Sequence, residues 1–254
     1  MVRCLTSLVL LAAALGASPA AAQLSQDEVD LQKYTACMAQ TREDPEEAYQ
    51  SAGRWESFGG GDPAKHCQAV ALVALGHYAE GARRLELLAG RIAGSSPELA
   101  ADVLGQAGQA WLLAEETSRA YAAQTTALAL KPDDVELLVD RSITLAGAES
   151  YWEAIDDLNR ASELAPGRAD VLIFRASAYR LVEVPELAME DITRALVIDP
   201  ASPEGLLERG ILRRLAGDGE GARADWLQVL RLAPTGAAGK SARANLEKLD
   251  VTVD

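Results

Sequence analysis

The sequence predicts an all-α fold, a right-handed superhelix (α-solenoid) of antiparallel helix hairpins closed by a C-terminal capping helix. Three observations carry that expectation. Between residues 135 and 236 the chain repeats every 34 positions: Arg141, Arg175 and Arg209; Ala154, Ala188 and Ala222; Asp157, Asp191 and Asp225; Pro166, Pro200 and Pro234. A fixed period near 34 with a proline closing each unit marks stacked helical hairpins, none of which buries its apolar side alone. Hydrophobic residues make up 49% of the 254-residue chain, yet only two are Phe; abundant Ala and Leu favour close-packed helices over a β-sandwich. Finally, apolar residues recur at spacings of three and four, as in Ala82, Leu85, Leu88 and Ile92, the mark of one helix face.

Taken in order, residues 1–22 read as a signal peptide. Arg3 gives a basic start, 8–15 is an apolar run, and Ala20, Ala21 and Ala22 offer a cleavage site before Gln23. The run is too short to cross a bilayer, so no membrane insertion is expected once it is removed. The mature chain is then expected to be periplasmic or secreted. Cys4 falls inside the leader, leaving Cys37 and Cys67. An even count in an oxidising compartment points to a disulfide. The alternative is a redox or metal pair using the adjacent His66, but two Cys and one His are too few for a closed zinc site, and there is no C-x-x-C.

Residues 23–96 are expected to form irregular N-terminal hairpins stapled by that disulfide. Ser25 caps a helix predicted over 26–42, and a second helix runs through Tyr49, Ala52 and Trp55 to the glycines at 59–61. No Lys-Ser/Thr follows those glycines, so they read as a turn and not as a phosphate loop. The next helix carries Cys67, Val70, Val73 and Ala74 and stops at Gly76; its partner carries the Ala82–Leu85–Leu88–Ile92 stripe.

From Ala101 the beat is strict. One unit carries Leu104, Gly108, Trp111, Ala120, Ala127 and Pro132, and the next Leu138, Leu145, Ala154, Leu158, Ala161 and Pro166. A third has Leu172, Ala176, Tyr179, Ala188, Ile192, Ala195 and Pro200, and a fourth Leu206, Gly210, Ala222, Trp226 and Pro234, with Arg213 where an aromatic is usual. These four units, 97–236, resemble the tetratricopeptide repeat family, and 24–96 resembles it weakly. The resemblance implies paired antiparallel helices with small residues where they cross. Residues 237–254 remain as a capping helix and tail, with Ala242, Leu246 and Leu249 turned inward and Arg243, Glu247, Lys248 and Asp250 outward. Trp111, Tyr179 and Trp226 read as core fillers.

Where Arg141, Arg175 and Arg209 stand, the family usually has leucine. A charge at a helix-pairing position is costly unless matched, and Asp157, Asp191 and Asp225 follow each arginine by 16 residues. In the unit before them, Ala107 and Ala123 replace both partners together. Structural ion pairs are therefore expected, each Arg with the Asp of its own unit or of the adjoining one; the alternative reading is a row of carboxylate receptors.

Function classes narrow by exclusion. A net charge of −14 opposes nucleic acid. His66 and His77 are the only histidines, and no G-x-S-x-G, H-E-x-x-H or phosphate-loop pattern exists. No enzyme and no cofactor is expected, with an unrecognised hydrolase or redox factor as the remote alternative. The resemblance implies that a protein or peptide segment binds along the concave face of the first helices. Carried onto this chain, those positions are Gly105, Gln106, Gln109 and Leu112; Val139, Asp140 and Ile143; Ile173, Phe174, Ser177 and Arg180; and Leu207, Glu208, Ile211 and Arg214. The Lys and Asn set with which some members clamp a terminal carboxylate is missing, which suits a helical or extended apolar segment better. Two alternatives stay open: Ile143, Ile173 and Ile211 pack under neighbouring helices, or the protein is an assembly subunit using its convex or end surfaces.

Overall fold

The computed structural model describes residues 25–251. The expected leader and its cleavage site, and the side chain of Asp250, lie outside the described residues. Within them all regular structure is helical: α1 (Gln26–Glu43), α2 (Pro45–Ser57), α3 (Gly61–Ala74), α4 (Tyr78–Ile92), α5 (Pro97–Leu113), α6 (Thr117–Leu130), α7 (Val135–Gly147), α8 (Tyr151–Leu164), α9 (Ala169–Leu181), α10 (Pro185–Ile198), α11 (Pro203–Leu215), α12 (Gly219–Leu232) and α13 (Ala237–Val251). Each helix packs on the next in chain order. First helices also touch across hairpins, α5 on α7, α7 on α9 and α9 on α11. That contact makes the odd-numbered helices the inner layer of the stack.

The prolines set where hairpins end. Lys131, Ala165, Asp199 and Ala233, each immediately before the repeated proline, cap their helices with φ between −138° and −128°. Proline excludes its predecessor from the helical region, so the helix must stop there. The turn inside each hairpin closes differently. Glu116 N–H donates to the Trp111 carbonyl and Glu115 N–H to that of Leu112, the paired bonds of a Schellman cap. The same pair closes α3, α7, α9 and α11. The cap needs a left-handed residue, and Glu115, Glu149 and Glu183 occupy it at φ near +60°, whereas Gly217 occupies it in the last unit. Glycine takes this conformation freely and glutamate with strain.

Facing positions 16 residues apart are matched in size where the two helices of a hairpin cross. Gly210 faces Trp226 and Gly108 faces Gln124, and at the same positions of the two units between stand Ala176 with Ile192 and Ser142 with Leu158, all buried. A Cβ at Gly210 would fall inside contact distance of the Trp226 indole. Constant inter-helix volume, at close packing, thus forces a small residue opposite each large one. Trp111 and Trp226 are fully buried, and Tyr179 packs at the core edge.

At the N-terminal end Cys37 of α1 and Cys67 of α3 are joined as a disulfide, Cα atoms 6.2 Å apart. The glycine run differs from expectation: only Gly59 and Gly60 form the turn, and Gly61 already begins α3. At the other end α13 sits where the first helix of a further hairpin would, packing on α11 and α12. Ala242 and Leu246 are buried there, Leu249 packs at the edge, and Arg243 donates to the Pro234 carbonyl.

Candidate protein-interaction groove

The arginines point inward. Arg175 donates from Nε and Nη2 to the two oxygens of Asp191 at 2.7 Å each, and from Nη1 to Asn159 Oδ1 of the preceding hairpin at 2.9 Å. Arg141 holds Asp157 the same way, at 2.8 and 2.6 Å, and reaches back to Thr125 at 3.4 Å. Arg209 holds Asp225 at 2.9 and 2.7 Å, and Arg213 adds a further bond to that carboxylate at 2.8 Å. The aspartates are buried and the guanidiniums largely so. Bidentate pairing satisfies charge and directionality together, and these hydrogen bonds hold Arg141, Arg175 and Arg209 more firmly protonated than a free guanidinium. Each arginine thus turns its Nε and Nη2 edge to the aspartate of its own hairpin, so the row is matched from within.

The inner face divides the expected groove residues into two sets. Val139, Ile173 and Glu208 are buried, at 5%, 9% and 5% exposure, and so present little free surface. Adjacent first helices approach closely enough to cover them, which corrects the sequence expectation. Glu208 instead binds Arg180 and neutralises it, leaving Arg214 as the exposed arginine of the two. Gln106 accepts from His66, which also contacts the Tyr34 hydroxyl at 2.9 Å, so α1, α3 and α5 are tied across the inner layer. Burial pushes the His66 imidazole pKa down, favouring its neutral form. With Gln106 accepting, the proton sits on Nε2 and Nδ1 receives the Tyr34 hydroxyl. Gln109 donates to Asp140 at 2.8 Å; burial raises that carboxyl above its usual range, partly offset by this bond.

What stays open is an apolar cleft of about 160 Å³ between α7, α8 and α9, lined by Ile143, Phe174, Ser177 and Leu181 and floored by Leu158. Ile143 is 41%, Phe174 38% and Leu181 45% exposed. Leu207 and Ile211 continue the row, partly covered against the C-terminal core. Sequence reasoning missed Leu181, although Leu215, one period on, is also exposed. It also missed the contact between Lys131 and Asp102 at 2.5 Å and the pairing of Arg168 with Glu136 and Asp170. Acidic residues at 102, 136, 170 and 204 keep the period, but their basic partners do not.

Among the described residues no group of three His, Cys, Asp or Glu side chains is placed to hold a metal ion. No described helix is long and apolar enough to cross a membrane. No family model and no curated relative matches the chain. Solved structures do match it. A structure described as a functional characterization of Pseudomonas aeruginosa PilF shares 16% identity at a TM-score of 0.66, covering 86% of this chain and 98% of that one. The fold is that of the tetratricopeptide repeat. MamA structures agree: an RS-1 double mutant has 20% identity and a TM-score of 0.60 over 68% of this chain and 95% of its own. MamA from Desulfovibrio magneticus RS-1, residue 41 to the end, has 19% identity and a TM-score of 0.54, covering 76% and 98%. At such identities the tetratricopeptide likeness speaks to architecture, and the chain's own surface must speak to its role.

Proposed function

We propose that the protein is a non-catalytic adaptor that holds a segment of another polypeptide in its inner groove, between α7 and α9. The observation that carries this is the cleft itself: Ile143, Phe174 and Leu181 stay exposed around one apolar recess between two neighbouring inner helices. Its backbone is rigid helix on both sides, so a bound segment meets a pre-formed surface. The same reading places the protein in the cell envelope or outside the cell. The leader-like segment before Gln23 and the bonded Cys37–Cys67 pair support that location.

A photo-crosslinking residue at Phe174 tests the groove. In cells it is expected to trap one polypeptide, and Ile143→Glu is expected to abolish the product. A second reading has its own support: Phe58 is 87% exposed beside a cavity of about 600 Å³ lined by Trp55, at the N-terminal end of the stack. Capture at Phe58 with none at Phe174 would replace the groove with an end surface.

A further inference from the structure

The apolar cleft continues past Phe174. The same side chain also lines a second cavity of about 270 Å³, between α9 and the start of α11, with Asp170, Asp199 and Glu204 in its wall and no Lys or Arg. Asp170 is bonded to Arg168, but Arg168 is shared with Glu136. Among the described residues, no basic side chain pairs with Asp199 or Glu204 at ion-pair distance. Both cavities are smaller than the roughly 300–1,000 Å³ typical of small-molecule sites, and each suits one side chain.

Resting on the groove reading, we infer that the bound segment carries a Lys or Arg beside its apolar anchor. The anchor fills the cleft at Ile143, Phe174 and Leu181. The cation enters beside Asp199 and Glu204, where its charge is matched and Phe174 offers an aromatic face. The docking surface is the apolar cleft; the carboxylates select its occupant. An acidic segment is rejected here, because Asp199, which accepts only the Ala201 N–H, and Glu204 have no basic side chain among the described residues to offset the added charge.

The test pans the purified protein against a phage-displayed library of random peptides. Enriched peptides are expected to join an apolar residue to a Lys or Arg a few positions away. Replacing that basic residue with Gln should weaken binding about tenfold at low salt, the scale of a close charge pair. The tenfold difference should vanish in the Asp199→Asn/Glu204→Gln variant and shrink as salt screens it. Both changed side chains are exposed, so the variant should keep the wild-type melting curve. Binders that fail with Ile143→Glu yet show no basic preference, or keep it in the double variant, overturn the occupant and leave the groove. Binders indifferent to Ile143→Glu, or no binders at all, overturn both.

Discussion

Replacing Asp191 with Asn removes one charge from the best-buried rung of the Arg–Asp ladder. Arg175 and Asp191 expose only 12% and 5% of their side chains, so solvent screens the pair poorly. Asn keeps the shape and one acceptor but turns an amide donor toward a guanidinium that is already all donors. Losing one member of a buried pair costs about 3–5 kcal/mol, because the other charge stays buried and unmatched. Taking about 3 kcal/mol for the conservative Asn, and roughly 2–4 °C per kcal/mol for a chain of this size, the midpoint should fall by about 6–12 °C. Thermal and urea unfolding, followed by helical ellipticity and tryptophan emission, measure this.

The decisive comparison is with Arg175→Ala/Asp191→Ala. Ala107 and Ala123 occupy the equivalent positions two units earlier, and both are buried there. The double variant should therefore be less destabilised than the two single Ala variants summed, by about 2 kcal/mol of coupling. An Asp191→Asn protein within about 0.5 kcal/mol of wild type, or a double variant that simply sums the singles, would refute the claim that charge matching stabilises the stack.

Further outcomes follow from other contacts. Reducing the Cys37–Cys67 bond, which spans 30 residues, should cost about 3–4 kcal/mol in the chain-entropy account, read as a lower urea midpoint with dithiothreitol than without. Gly210→Ala should destabilise by about 1–3 kcal/mol through overpacking against Trp226; adding Trp226→Ile, which recreates the Ala176–Ile192 pairing, should recover part of it. Because burial lowers the His66 pKa, the unfolded chain binds this proton more readily than the folded one. Stability should then fall as pH drops below the ordinary histidine value near 6.5. Unfolding midpoints at neutral and mildly acidic pH should converge once His66→Gln removes the group.

The fold was legible because a solenoid is quasi-one-dimensional: each hairpin meets the same neighbours, so the 34-residue period of Pro166, Pro200 and Pro234 reports local structure repeated. The 16-residue offset from Arg175 to Asp191 was readable for the same reason, since both lie within one hairpin. The left-handed Glu115, Glu149 and Glu183 were not, because glutamate gives no sign of that conformation. Nor was the groove. Val139, Ile173 and Ile143 look alike as a row of aliphatic residues on successive first helices, yet two are buried and one is open. Arg180 and Arg214 share a register, yet Glu208 silences only the first. By itself the sequence determined that helical hairpins stack and that the repeated arginines and aspartates match one another. How far one hairpin turns against the next decided which side chains water reaches, and that rotation is a sum over contacts between units that no spacing along the chain records.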